Sequence, residues 1–200
     1  MSIIKLTNQE SHFENGPRAA ILAGPGFQDH DCIYTGYRLR EAYFRVDFAT
    51  ADGGPVYGRF GAPVPLDKTS RPNVPFAELN PDDYDLVIAA GGYEGPDRVR
   101  QNKDATGFVA AMAAKGKIVG GLCHGPWVLI SSRIMAGRLA AAYPGLRDDL
   151  EFAGAIVVEG AHVIVDDNIV TCSYYGEVGL FTKTVIDLTN ELVARTGASS

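Results

Sequence analysis

The chain is predicted to fold as an α/β protein, a three-layer α/β/α sandwich around a mostly parallel central sheet. Three observations predict it. Short apolar runs bounded by glycine, proline or aspartate alternate with stretches of helical periodicity along most of the 200 residues. Those runs, such as Asp85-Leu86-Val87-Ile88-Ala89-Ala90, are uninterrupted, as strands buried on both faces must be. No break in composition separates two parts, and the length suffices for one well-filled domain. That domain is taken as 18–196, preceded by an arm over 1–17 that has neither period.

Arg18-Ala19-Ala20-Ile21-Leu22-Ala23 reads as the first buried strand, stopped by Gly24-Pro25-Gly26. A helix is expected from Cys32 to Tyr43, with Asp29 or Asp31 as its cap. Phe44 to Ala49 alternates as a second strand, closed by Asp52-Gly53-Gly54. Pro55 to Pro81, with five prolines after the first, predicts an excursion or hairpin on the sheet edge and no long helix. Asp85 to Ala90 is the next strand and Gly91-Gly92 ends it. Pro96 to Gln101 suggests a short helix, and Ala105 to Lys115 a longer one capped by Gly116. Ile118 to Leu122 is a strand, followed by a helix over Trp127 to Ser132. Beyond Gly137-Arg138, short strands are expected at Leu139 to Ala142, Ala155 to Val158 and Ala161 to Val165, with a helix over Leu146 to Ala153. Asp166-Asp167-Asn168 turns the chain into a strand over Ile169 to Cys172. The last helix covers Glu177 to Ala194, with Val178, Phe181, Val185, Leu188 and Leu192 at helical spacing.

The balance of 18 basic and 24 acidic residues leaves −6 and no basic block, which argues against a nucleic-acid partner. No apolar run is long enough to cross a bilayer, and Met1 to Gly16 has no signal-peptide core. Cys32, Cys123 and Cys172 are odd in number and lack metal-ligand spacing, so no metal is expected. Free thiols point to a reducing, cytoplasmic setting.

The chain is organised around Gly121-Leu122-Cys123-His124-Gly125. Small residues two before and two after a cysteine, between a strand and a helix, make the nucleophile-elbow pattern with cysteine in place of serine. The alternative is a structural thiol buried at a sheet end. Ligands of such sheets bind at the carboxyl ends of the strands. Three loops leave those ends: Gly24 to Asp31, Gly91 to Arg98, and Cys123 to Gly125. Their convergence would join a thiol, carboxylates, an imidazole and glycine amides, the set that covalent carbonyl or acyl chemistry needs.

Several segments, in this order, resemble the ThiJ/PfpI superfamily, and within it the PfpI-type intracellular protease and stress-protein branch. They are Gly26-Phe27-Gln28-Asp29-His30-Asp31 with Tyr37-Arg38-Leu39, and Asn80-Pro81-Asp82-Asp83-Tyr84-Asp85. Gly91-Gly92 with Pro96-Asp97-Arg98-Val99-Arg100, then Cys123-His124-Gly125-Pro126, follow. Tyr143-Pro144-Gly145-Leu146-Arg147-Asp148-Asp149-Leu150 with Ala153-Gly154 completes the set, and the resemblance spans Arg18 to Thr171. It implies the class I glutamine amidotransferase-like, flavodoxin-like fold, and a cofactor-free enzyme that assembles as a homodimer or higher homo-oligomer. It also implies that Cys123 is the nucleophile, that His124 moves protons, and that the backbone amides of Gly92 and His124 form an oxyanion hole. Asp31 falls where the family usually has a glutamate against the sulfur. Asp97 falls where the branch has an acid reaching the histidine across a subunit interface.

Gly91, His30, Tyr174 and Tyr175 are candidates for the substrate-binding wall. Cys32 and Cys172 are read as bystander thiols. The chain departs from the family in having aspartate at 31 and 97. It also reads Thr171-Cys172-Ser173-Tyr174-Tyr175-Gly176-Glu177 after its last strand, where an arginine, a proline and an aspartate are usual. The implied activity is attack of a Cys123 thiolate on a small electrophilic carbonyl, of the glyoxalase III or deglycase type. Amidase or peptidase activity, a redox or stress sensor oxidised at Cys123, and a chaperone are the alternatives.

Overall fold

The computed structural model describes residues 16–197. All but the last two residues of the expected N-terminal arm lie outside the described residues. Seven strands form the main sheet: β1 (Arg18–Leu22), β2 (Arg45–Thr50), β5 (Val74–Pro75), β6 (Leu86–Ala89), β7 (Ile118–Leu122), β10 (Val163–Asp166) and β11 (Ile169–Cys172). Their order is β10-β11-β7-β6-β1-β2-β5, and every pairing is parallel except the terminal β10–β11 hairpin. Two short ribbons lie outside it: antiparallel β3 (Val56–Tyr57) with β4 (Pro63–Val64), and parallel β8 (Leu139–Ala140) with β9 (Ile156–Val157).

Both faces of the sheet are buried, which is why its strands read as unbroken apolar runs. Ala19 and Ile21 of β1 face one core with Phe48, Leu122, Phe181 and Val185. Ala20 and Leu22 face the other with Val87, Val109, Met112 and Leu129. Helices α1 (Asp29–Glu41) and α6 (Val178–Gly197) pack together over the first face. Helices α2 (Glu94–Arg100), α3 (Lys103–Ala114) and α4 (Pro126–Ser131) cover the second, with α5 (Arg147–Phe152) beside α4. None of the described helices is both long and apolar enough to cross a membrane.

Most expected elements appear within one to three residues of their expected ends. Asn102 caps α3 by accepting from the N–H groups of Asp104 and Ala105, so that helix starts two residues early. One expectation is corrected. The first helix begins at Asp29 rather than Cys32, and neither Asp29 nor Asp31 caps it; the N-cap is Gln28, without a side-chain bond. Both carboxylates are taken by backbone N–H groups of other segments, which outcompete the local cap. Asp29 accepts from Phe60 and Ala62 at 2.9 and 2.7 Å, and Asp31 accepts from Gly91 at 2.8 Å. The excursion after β2 is therefore a hairpin tied down to the first turn of α1. Gly26 N–H donates to Tyr57 O and Arg59 N–H to Phe27 O, completing the tie.

Candidate active site

β7 stops at Leu122 and α4 starts at Pro126, so three residues make the whole connection. Cys123 adopts φ 57°, a left-handed conformation costing a non-glycine residue about 1–2 kcal/mol. Neighbouring bonds hold it there: Cys123 N–H donates to Cys172 O at 2.9 Å, and Gly125 N–H to Leu122 O at 2.7 Å. A β-carbon on Gly125 would stand 2.2 Å from the carbonyl oxygen of Ala89, so the turn tolerates only glycine there. This is the strained elbow that the Gly-x-Cys-x-Gly spacing anticipates.

The Cys123 thiol is buried, and its pKa is pushed up to about 12. Loss of solvent is the main cause, and the charge of Asp31 adds to it. The backbone N–H groups of Gly92 and His124, together with the charge of Arg59, pull in the opposite direction. At rest the sulfur is therefore a thiol. His124 Nδ1 lies 3.2 Å from Sγ and accepts the thiol proton in the tautomer protonated at Nε2. Burial and the nearby Arg59 lower the pKa of His124 and keep the imidazole neutral. Its ring is wedged between Tyr143, 4.3 Å away between centroids, and Trp127, 5.1 Å away.

Asp31 is buried, and its pKa is raised to about 8, mainly by desolvation and further by Asp29, against the Gly91 N–H bond. Oδ2 takes that bond, whereas Oδ1 has no hydrogen-bond partner. A neutral carboxyl can carry its proton on Oδ1. A β-carbon on Gly91 would come within 2.5 Å of Asp31 Oδ2 and 2.7 Å of the Cys123 β-carbon, so the acid and the cysteine meet across this glycine. Gly92, at φ 85°, turns its own N–H toward the sulfur.

A cavity of about 310 Å³ opens over Cys123. Gly92, His124, Tyr174 and Tyr175 line it, as do Gln28, Tyr93 and Tyr143. The remaining wall comes from Arg59 and Phe60, at the tip of the β3–β4 hairpin.

Three sequence candidates lie elsewhere. Gly91 does not face the cavity; its N–H holds Asp31 and its carbonyl accepts from Gln28 N–H. His30 is exposed and stands behind the wall, stacked on Tyr175 at 5.2 Å, with Nδ1 2.9 Å from Gln28 Nε2. Asp97 is exposed on α2, where its carboxylate accepts from Gln101 Nε2 at 3.0 Å. Within one chain it lies outside the cavity. Cys32 and Cys172 are free and fully buried, and the Cys172 thiol donates to Tyr174 O. Among the described residues no three His, Cys, Asp or Glu side chains come together as a metal site.

Sequence reasoning missed Arg59, Phe60, Gln28, Tyr93 and Tyr143. For the first two a signal existed: a basic and an aromatic residue bracketed by Gly58 and Gly61 is a tight-turn tip that presents both side chains.

A parallel α/β sandwich with a cysteine on a strained strand-to-helix turn, facing two converging N–H groups, belongs to the cysteine-elbow class of α/β proteins. Within that class the chain belongs to the DJ-1/PfpI family, whose pattern matches residues 17–188. A deglycase from Pyrococcus abyssi is 35% identical over 171 residues, covering 86% of this chain and 98% of the relative. Deglycase PfpI from Pyrococcus furiosus is 34% identical over 167 residues, covering 84% and 96%. The crystal structure of Drosophila melanogaster DJ-1beta superposes with a TM-score of 0.78 at 19% identity, covering 90% of this chain and 97% of that one, and shares the fold.

Proposed function

We propose that the protein is a cofactor-free, cysteine-dependent enzyme that converts small electrophilic carbonyl compounds, as a glyoxalase III or deglycase does. The observation that carries this reading is the thiol of Cys123 held 3.2 Å from a neutral His124 on a strained elbow. Substrate attack and deprotonation then occur together. Sγ bonds to the carbonyl carbon, the thiol proton passes to His124 Nδ1, and the carbonyl oxygen becomes an oxyanion facing the N–H groups of Gly92 and His124. Asp31, as a buried neutral acid, can protonate that oxygen and later take a proton from carbon. With an α-oxoaldehyde, moving the C1 hydrogen as a proton to C2 yields a thioester of the hydroxy acid. Water cleaves the thioester and returns the thiol, so the balance is dicarbonyl plus water to hydroxy acid, with no external oxidant or reductant.

The similarity to proteins named deglycases supports this reading. The cavity volume, about 310 Å³, suits a small molecule better than an extended peptide. The test is methylglyoxal consumption with stereospecific lactate detection, without glutathione. We expect saturable lactate formation that is lost in Cys123→Ser and reduced at least about 100-fold in Asp31→Asn. No turnover above buffer would sink the reading for this substrate.

A further inference from the structure

Of the residues facing the cavity, none is acidic, and Arg59 is the one with a permanent charge. Among the described residues it has no carboxylate partner. Its guanidinium lies over the rings of Phe60 and Tyr93, 5.0 and 5.3 Å from their centroids. Those faces position a cation without neutralising it. The backbone beneath it is held firmly: Arg59 N–H donates to Phe27 O at 2.9 Å, and the flanking Phe60 and Ala62 N–H groups are bound by Asp29. The same charge reaches the reacting groups, since it acts on both the Cys123 sulfur and the His124 ring. Asp29 holds the hairpin through the Phe60 and Ala62 N–H groups and forms no ion pair with the guanidinium, and Asp31 beneath the elbow, its pKa raised to about 8, does not cancel the charge at pH 7.

Arg59 is exposed at the mouth of a small cavity that has no acidic lining, so its hydrated guanidinium keeps its donors available to an anion entering the site. We infer that Arg59 is a substrate-binding residue that selects carbonyl compounds carrying an oxyanion group, a carboxylate or a phosphate, over uncharged ones. The guanidinium presents paired N–H donors to such a group while the carbonyl sits over Cys123. This narrows the substrate class of the proposed reaction and so rests on that reading for its biological meaning. The binding preference itself is testable without turnover.

The test is the rate of Cys123 alkylation, read by mass spectrometry, with iodoacetate and with iodoacetamide, which differ in a carboxylate. The ratio of the two rates is referred to that of a free thiol. We expect wild type to favour iodoacetate by about 10-fold over that reference at low salt, less at high salt. Arg59→Gln should lose the preference and Arg59→Lys keep most of it, which separates charge from a general disturbance of the hairpin. In a second arm, glyoxylate, glyceraldehyde 3-phosphate and uncharged glycolaldehyde compete against iodoacetamide. Protection by either anion at about 10-fold lower concentration than glycolaldehyde supports the inference and identifies the oxyanion. A ratio unchanged in Arg59→Gln, or equal protection by all three aldehydes, overturns it. A protein with the anion preference but no lactate formation would retain this inference and lose the glyoxalase reading.

Discussion

The resemblance places Asp31 where the family usually has a glutamate against the sulfur, but the shorter carboxyl hydrogen-bonds to Gly91 N–H and not to Cys123 Sγ. The first turn of α1 sits close enough to the β6–α2 loop that the short carboxyl bonds to Gly91 N–H directly. Burial there raises its pKa from 3.8 to about 8, so between those values the folded chain binds a proton that the unfolded chain has lost. Stability falls as pH rises through that window, by a few kcal/mol in all. Asp31→Asn removes the titration while leaving an acceptor for Gly91. It should melt higher than wild type at pH 8, with the gain shrinking toward pH 4; urea denaturation at several pH values checks this. A gain independent of pH would mean that the carboxyl is not the proton-binding group. Removing the acid thus trades catalysis for stability, as expected of an active-site strain reservoir. Cys123 could be picked out from spacing alone, because an elbow needs small neighbours at fixed positions. The pKa values of Cys123 and Asp31 could not, because desolvation belongs to the packed molecule.

The β3–β4 hairpin is the element that sequence reasoning described least. Its prolines and glycines announced an irregular excursion, but nothing local says where such a loop lands. Asp29 decides that, by accepting from Phe60 and Ala62 with its two carboxylate oxygens. Asp29→Ala would orphan both donors and should cost about 1–2 kcal/mol. The amides of Phe60 and Ala62 should then exchange hydrogen much faster, and KM should rise more than kcat falls, because Arg59 and Phe60 are no longer held over the cavity. Unchanged exchange would show that the backbone bonds Gly26–Tyr57 and Gly58–Ala62 suffice. The same tertiary bonds explain why α1 begins before its expected start. An aspartate near a helix N-terminus reads as a cap until a distant N–H offers a better use.

At the scale of the whole molecule, the resemblance expects an assembly in which Asp97 of one copy completes the His124 site of another. The exposed position of Asp97 on α2 leaves its carboxylate accessible to such a contact. Mixing Cys123→Ser with Asp97→Asn tests this. If sites are shared in a dimer, random exchange should restore roughly a quarter of wild-type turnover, since half the dimers are mixed and each has one intact site. No recovery in a mixture that has exchanged subunits would confine Asp97 to its bond with Gln101.

The sequence by itself determined the parallel sheet, the order of strands and helices, the elbow at Cys123 and the family, because each is written in local periodicity, glycine placement or motif order. Tertiary structure alone decided that Asp31 faces Gly91 as a buried neutral acid, that His30 stands behind Tyr175, and that Arg59 arrives over the thiol from a hairpin over 60 residues away in the chain. The physical reason is common to all three. Burial, charge and the choice among competing hydrogen-bond partners depend on which distant segments meet, and no window of sequence contains both sides of those contacts.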